Sequence, residues 1–129
     1  MQILITGSQG FIGQNLVIEL LKYQSYEIDT FDRDDDISVL ENKISKADAI
    51  FHLAGENRPK DDDAFDLTNY KLTKRICDLT EILQRNIPII FSSSTQATQE
   101  NPYGKSKLAA EKALIKLSKQ MKCQVTIFR

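Results

Sequence analysis

Apolar residues in this chain fall into two patterns that take turns. Residues 3–5 (Ile3-Leu4-Ile5) form an unbroken apolar run closed by Thr6-Gly7, residues 26–31 alternate, and residues 49–53, 88–91 and 125–128 are again short apolar runs. Runs of that length, bounded by Gly, Pro or polar residues, predict strands. Between them, apolar residues recur at three- and four-residue spacing, the period of a helix. Phe11, Ile12, Leu16, Leu20 and Leu21 follow the first strand, and Ile37, Leu40 and Ile44 follow the second. Leu72, Ile76, Leu79 and Leu83 mark the inner stripe of a long helix predicted over residues 64–85. After the fourth strand, Asn101 as cap and Pro102 at the first helical position open a last helix that runs to about residue 120. Strands that alternate with helices, each strand apolar on both faces, imply a parallel sheet with helices on both sides. With right-handed crossovers, the predicted fold is a Rossmann-type doubly wound α/β sheet of about five strands.

The 129 residues show no repeat, linker or low-complexity segment and read as one domain. Hydrophobic residues make up 41% and charged residues 27%, with a net charge of -1, so nothing in the balance calls for nucleic acid or an anionic membrane. No apolar run approaches the ~18 residues of a membrane span, and Met1 leads straight into strand pattern rather than a signal peptide. Cys77 and Cys123 form neither a metal-ligand spacing nor a disulfide framework, which suits a reducing cytosol. The expectation is a soluble cytoplasmic protein with no resident metal.

The turn after the first strand carries the first chemical signal. Thr6-Gly7-Ser8-Gln9-Gly10-Phe11-Ile12-Gly13 is a GxxGxxG turn between strand one and helix one. Gly7 permits a tight turn, Gly10 leaves room for a pyrophosphate, and Gly13 lets the helix approach closely. The N–H groups and dipole of the helix start, at Phe11 and Ile12, attract phosphates. A dinucleotide cofactor is therefore expected here. Asp32 and Arg33 end strand two, where the adenosine ribose would lie. An acid there accepts ribose hydroxyls and favours NAD; an arginine pairs with a 2′-phosphate and favours NADP. Asp36 and Ile37 are placed to flank the adenine, or simply to start a helix.

The second signal is Ser94, Tyr103 and Lys107, downstream of strand four. Tyr103 and Lys107 lie four apart at a helix start, on one face. An ammonium beside a phenol favours the phenolate, which makes a tyrosine usable for exchanging a proton with a substrate hydroxyl or carbonyl. Ser94, just beyond strand four, is placed to hydrogen-bond the reacting oxygen, and Lys107 to hold the nicotinamide ribose.

Thr6 to Gly13, His52-Leu53-Ala54-Gly55, Ser92-Ser93-Ser94 and Tyr103-Gly104-Lys105-Ser106-Lys107, in that order, resemble an extended short-chain dehydrogenase/reductase of the NAD-dependent epimerase/dehydratase group. The stretches Ala54-Gly55-Glu56-Asn57-Arg58-Pro59 and Ser92 to Gly104 are similar to the reductase domain of the CapF-type enzymes of bacterial capsular polysaccharide synthesis. That resemblance implies reduction of a 4-keto group on a UDP-linked N-acetylated deoxy-sugar with NADPH. It assigns Ser94, Tyr103 and Lys107 to catalysis, with Asn69 supporting the lysine through water. It also implies cofactor contacts from Leu53, Ala54, Gly55 and Ser92, and it sets Arg33 where an NADP phosphate would lie. NADP is favoured over NAD on that ground, with Asp32 as the opposing residue. Such enzymes continue past the position of Arg129 into a sugar-binding region and a zinc-containing cupin domain. Cofactor binding with weak or absent turnover is expected of these 129 residues, and a non-catalytic dinucleotide-binding sensor or a piece of a longer enzyme are the alternatives. A homodimer through the helices over 64–85 and 103–120 is a further expectation of the family.

Other reactive residues have plainer readings. His52 lies inside an apolar strand and is expected as a buried imidazole bonded to backbone. Cys77 and Cys123 read as packing residues. Asn57-Arg58 fits either a substrate contact or a solvated loop, and Asp61-Asp62-Asp63 fits a helix N-terminal charge cluster better than a calcium loop.

Overall fold

A computed structural model describes residues 1–55 and 66–129. The elements run β1 (Gln2–Thr6), α1 (Phe11–Leu20), β2 (Glu27–Phe31), α2 (Val39–Lys46) and β3 (Ala49–His52). A π-helical turn (Asp66–Lys71) then runs straight into α3 (Leu72–Ile82), followed by β4 (Ile89–Ser92), a 3-10 turn (Thr95–Thr98), α4 (Pro102–Met121) and β5 (Val125–Phe128). Every strand pair is parallel, and the spatial order is β2-β1-β3-β4-β5. The predicted doubly wound sheet of five strands is what forms.

That order reverses between β1 and β3, since the chain steps outward to β2 and then returns past β1. Right-handed crossovers put α1 on one face and α2, α3 and α4 on the other. Register carries Leu4, Ile50, Ile89 and Val125 across the sheet in one row, with Thr6, His52, Phe91 and Ile127 in the next row on the same face. This face packs against Leu40 and Ile44 of α2, Ile76 and Leu79 of α3, and Leu114 and Leu117 of α4. Each fully buried aliphatic side chain in that layer contributes roughly 1.5–3 kcal/mol. Cys77 and Cys123 are buried within it as free thiols.

Three details differ from the periodicity. In α1 only Gly13 is buried; Phe11, Ile12, Ile18 and the following Leu21 are exposed. The helix forms, but among the described residues no other helix lies on its face, so the apolar spacing overstates how much of it they cover. Ile37 precedes α2 and is half exposed, leaving Leu40 and Ile44 as that helix's buried positions. The third helix ends at Ile82 rather than 85 because Gln84 adopts φ 51°, letting the Arg85 N–H reach back to Thr80 O at 2.9 Å. Its start near residue 64, like Asn57, Arg58, Pro59 and the Asp61–Asp63 run, lies outside the described residues. Among the described residues no helix is long and apolar enough to cross a membrane.

Candidate functional site

The ends of β1 and β3 meet at the reversal of strand order, where open α/β sheets bind ligands. Gly7, at φ 74°, is packed so tightly there that a side-chain carbon would lie 2.6 Å from Ala54 N and 2.7 Å from Ala54 Cα. Gly13 is equally constrained: a carbon on it would sit 2.2 Å from Gly7 O, so the first turn of α1 presses directly on the loop. Gly10 differs, because a carbon there would meet only Gly7 O at 3.4 Å and otherwise faces open space. Gly10 also caps α1 with no side-chain hydrogen bond. The helix therefore presents its first N–H groups outward beside an open glycine, which suits a phosphate.

A cavity of about 810 Å³ opens beside this turn, within the range of small-molecule and cofactor sites. Gly7, Gly10, Asp32, Arg33, Ile37, Leu53, Ala54 and Gly55, all singled out in the sequence, line it, whereas Gly13, Ser92, Tyr103 and Lys107 do not. Asp36 does not line it; its Oδ1 accepts the Ser38 N–H at 2.8 Å, which lowers its pKa and marks an ordinary turn before α2. Exposed Phe11 and Ile12 stand outside the lining too. Lys71 and Arg75, one helical turn apart, line the cavity without having been singled out by any motif. Asp32 is partly engaged within the loop itself. Its Oδ2 takes the Ser8 hydroxyl at 2.5 Å and its Oδ1 the Gln9 N–H at 3.1 Å.

Gly55 joins this cavity to a second cluster. A carbon on Gly55 would lie 2.8 Å from Lys107 Nζ and 3.0 Å from Asn69 Oδ1, so these two side chains converge where the glycine leaves space. Lys107 is buried on the first turns of α4 and donates to Ser92 O at 2.9 Å. Burial pulls its pKa from 10.5 down to about 8, with the Glu111 carboxylate one turn on opposing the shift. Its Nζ lies 6.0 Å from the centre of the Tyr103 ring. Asn69 Nδ2 donates to Ser106 Oγ at 3.0 Å, and Ser106 donates to Tyr103 O at 2.7 Å. The π-helical turn is thereby fastened to the start of α4.

Asn101 caps α4 as predicted, accepting the Gly104 N–H at 2.7 Å. Gly104 is needed because the 3-10 turn lies against it: a carbon there would stand 2.1 Å from Gln96 O. Ser94 caps that 3-10 turn, accepting the Gln96 N–H at 3.1 Å. This bond uses an oxygen lone pair and leaves the hydroxyl proton for another partner. Tyr103, Lys107 and Asn69 thus come together on the β4 side of Gly55, while Ser94 stands just beyond the end of β4. The loop and β2-end residues gather on the other side.

Two features escaped the motifs. Glu111 is buried, accepts the Ser93 hydroxyl and takes both Arg129 Nε at 3.0 Å and Nη2 at 2.6 Å. Burial works to raise its pKa, but the bonds from Arg129 and Ser93 hold it below the usual range. It ties α4 to the ends of β4 and β5, and its one sequence signal is a carboxylate four residues after Lys107. His52 is buried as expected, but its ring bonds to two threonine side chains rather than to backbone. Among the described residues no group of three or more His, Cys, Asp or Glu side chains could hold a metal ion.

With that geometry in place, comparison with known proteins gives concordant findings. The sequence model of the NAD dependent epimerase/dehydratase family matches residues 3–129. All 129 residues align at 40% identity with the UDP-2-acetamido-2,6-beta-L-arabino-hexul-4-ose reductase of Pseudomonas aeruginosa, of which they span 35%. The crystal structure of capsular polysaccharide assembling protein CapF from Staphylococcus aureus superposes with a TM-score of 0.84 at 40% identity, covering the whole of this chain and 35% of that one. The UDP-glucuronic acid 4-epimerase of Bacillus cereus in complex with NAD superposes with a TM-score of 0.86 at 21% identity, covering the whole chain and 56% of the other, a likeness of fold. The chain spans about a third of the length of the curated relative it matches.

Proposed function

The chain belongs to the NAD dependent epimerase/dehydratase family, and we propose that it is the cofactor-binding and acid–base part of an NADP-dependent reductase of a UDP-linked 4-keto sugar in surface polysaccharide synthesis. One observation carries this reading: Gly55 borders both the glycine-turn cavity and the point where Lys107 and Asn69 converge. A dinucleotide laid along the cavity from Arg33 to Gly55 would bring its far end to the lysine. The residues fit it, since Gly10 is open, α1 begins without a side-chain cap, and the cavity is about 810 Å³. NADP(H), when bound, supplies or takes the hydride.

The chain's own residues do the rest. Gly7, Gly10 and the start of α1 hold the pyrophosphate. Arg33 takes the 2′-phosphate, and Asp32, already accepting from Ser8 and Gln9, serves chiefly to anchor the loop. Lys107 stays charged at neutral pH, steadies the nicotinamide ribose and stands beside the Tyr103 ring. Tyr103 Oη exchanges a proton with the sugar oxygen, and the Ser94 hydroxyl donates to that same oxygen. The relative's substrate, a 4-keto UDP-sugar by its name, supplies the substrate class. The compartment is the cytoplasm, and the outer faces of α3 and α4, with Lys74, Lys112 and Lys116 around a groove of about 350 Å³, meet in a homodimer. Sedimentation at micromolar concentration tests that pairing; a monomer refutes it.

Calorimetric titration with NADPH and NADH is the decisive measurement for the cofactor. Tighter binding of NADPH supports the assignment. Equal affinity, or preference for NADH, removes Arg33 as the selector. Binding of neither refutes the reading of the glycine turn.

A further inference from the structure

His52 is the sole histidine of the chain, is fully buried, and has no part in the acid–base set above. Its ring stacks on Phe91 at 5.2 Å between centres, and Lys107 Nζ sits 5.0 Å from the centre of that same Phe91 ring. Nδ1 is 2.7 Å from Thr6 Oγ1 and Nε2 is 2.7 Å from Thr73 Oγ1. Thr6 Oγ1 also accepts the Ala54 N–H at 3.2 Å, and the Thr73 hydroxyl donates to Asn69 O at 2.6 Å.

Proton counting fixes the direction of every bond. A hydroxyl has one proton to give. Thr73 gives its proton to a carbonyl, which only accepts, so toward the ring Thr73 must accept and Nε2 must carry hydrogen. In a neutral ring Nδ1 is then the acceptor, and the Thr6 hydroxyl fills it. The Thr6 lone pair is left for the Ala54 amide. A second ring proton would turn the Thr6 hydroxyl away from Nδ1 and place a buried positive charge near Lys107. Burial, aided by Lys107, holds the ring pKa down at about 3.

The two ends of this chain are the two halves of the candidate site. Ala54 packs on Gly7 at the glycine turn, while Asn69 lies in the π-helical turn and meets Lys107 at Gly55. π-Helical turns are uncommon and gather at functional sites, and the Thr73 hydroxyl bonds back to a carbonyl of this one.

We infer that His52, with Thr6 and Thr73, is a positioning residue that locks the cofactor loop to the Asn69–Lys107 cluster through a one-way hydrogen-bond chain from the Ala54 N–H to the Asn69 carbonyl. What is positioned rests on the proposed function; the direction of the chain does not.

The test uses the full chain, first without cofactor. Long-range proton–nitrogen NMR on the single imidazole should show the neutral Nε2–H tautomer, unchanged between about pH 5 and 8. The Lys107 titration, followed at its ε-carbon, should shift in Thr73→Val and return to the wild-type position in Thr73→Ser, which keeps the hydroxyl. NADPH affinity should fall roughly tenfold in the valine variant and stay within about twofold in the serine variant. An Nδ1–H tautomer, an imidazole that titrates in this range, or a valine variant with wild-type Lys107 titration overturns the inference. If the valine variant does not fold, the wild-type tautomer and the serine variant decide. If the wild type binds neither NADPH nor NADH, the cofactor reading fails, while the tautomer and the Lys107 titration still judge the hydrogen-bond chain.

Discussion

Replacing Lys107 with methionine should make the fold more stable at neutral pH while removing its chemistry. The Lys107 side chain is 4% exposed, and burial brings its pKa from 10.5 to about 8. Below pH 8 the lysine is charged in both folded and unfolded chains, so the full cost of burying the charge is present at pH 7. Between pH 8 and 10.5 the unfolded chain keeps a proton that the folded chain has released, and stability rises with pH across that window. The interval of about 2.5 pKa values corresponds to about 3 kcal/mol. Methionine has similar length and suits the contact with Phe91, but it leaves Ser92 O without its donor, which returns about 1 kcal/mol. The net gain is about 2 kcal/mol at pH 7, or about 1 M in urea midpoint for a domain with an m-value of about 2 kcal/mol/M. Equilibrium urea unfolding of both proteins at pH 7 and at pH 10 measures it. The advantage should shrink at the higher pH, where wild type has lost its charge. A variant less stable than wild type at pH 7, or an advantage that does not change with pH, would refute the claim that the site holds a desolvated ammonium.

Three other substitutions probe separate parts of the site. Tyr103→Phe, made in a protein that also carries the sugar-binding region, should abolish reduction of a 4-keto UDP-sugar, assayed by loss of NADPH absorbance, while NADPH affinity stays within about twofold; retained turnover removes Tyr103 as the proton-exchanging group. Gly7→Ala combines φ 74° with a carbon 2.6 Å from Ala54 N, so urea unfolding should show a loss of about 1–3 kcal/mol, and the cofactor site should distort with it. Arg33→Ala should weaken NADPH binding by roughly 10- to 100-fold and leave NADH unchanged, because a charged hydrogen bond is worth about 1.5–3 kcal/mol. Equal losses for the two cofactors would show that Arg33 does not read the 2′-phosphate.

The parts legible in the sequence were those decided by neighbours along the chain. Parallel strands buried on both faces write themselves as apolar runs, and Asn101-Pro102 announces α4 because a cap bonds only three residues ahead. Gly13 was legible for a related reason: a side-chain carbon there would lie 2.2 Å from Gly7 O, so the helix start admits none. What stayed hidden depended on residues far apart in sequence. The exposure of Phe11 and Ile12 follows from how little else among the described residues lies on the α1 face, which periodicity along one helix does not report. The π-helical turn at Asp66–Lys71 keeps nearly the same apolar spacing as an α-helix, so no pattern of six residues separates them. Lys71 and Arg75 reach the cavity only because α3 packs beside β3, and Glu111 gains its role only where β4 and β5 end beside α4.

The hidden features nevertheless share a physical signature. Most departures from the local rules of stable folding cluster around Gly55: a buried lysine, a π-helical turn and a buried imidazole bonded on both sides by threonine. A fold selected for stability alone would place an aliphatic side chain at position 107, remove the charge, and let the turn relax to an α-helix. It would then have no reason to retain His52 between two hydroxyls, since an apolar trio of the same shape would pack there without polar groups to satisfy. Residues that each cost stability alone, and satisfy one another only when assembled, are explained by what the assembly holds in place. The stability of Lys107→Met and the tautomer of His52 test that account from opposite ends of the same cluster.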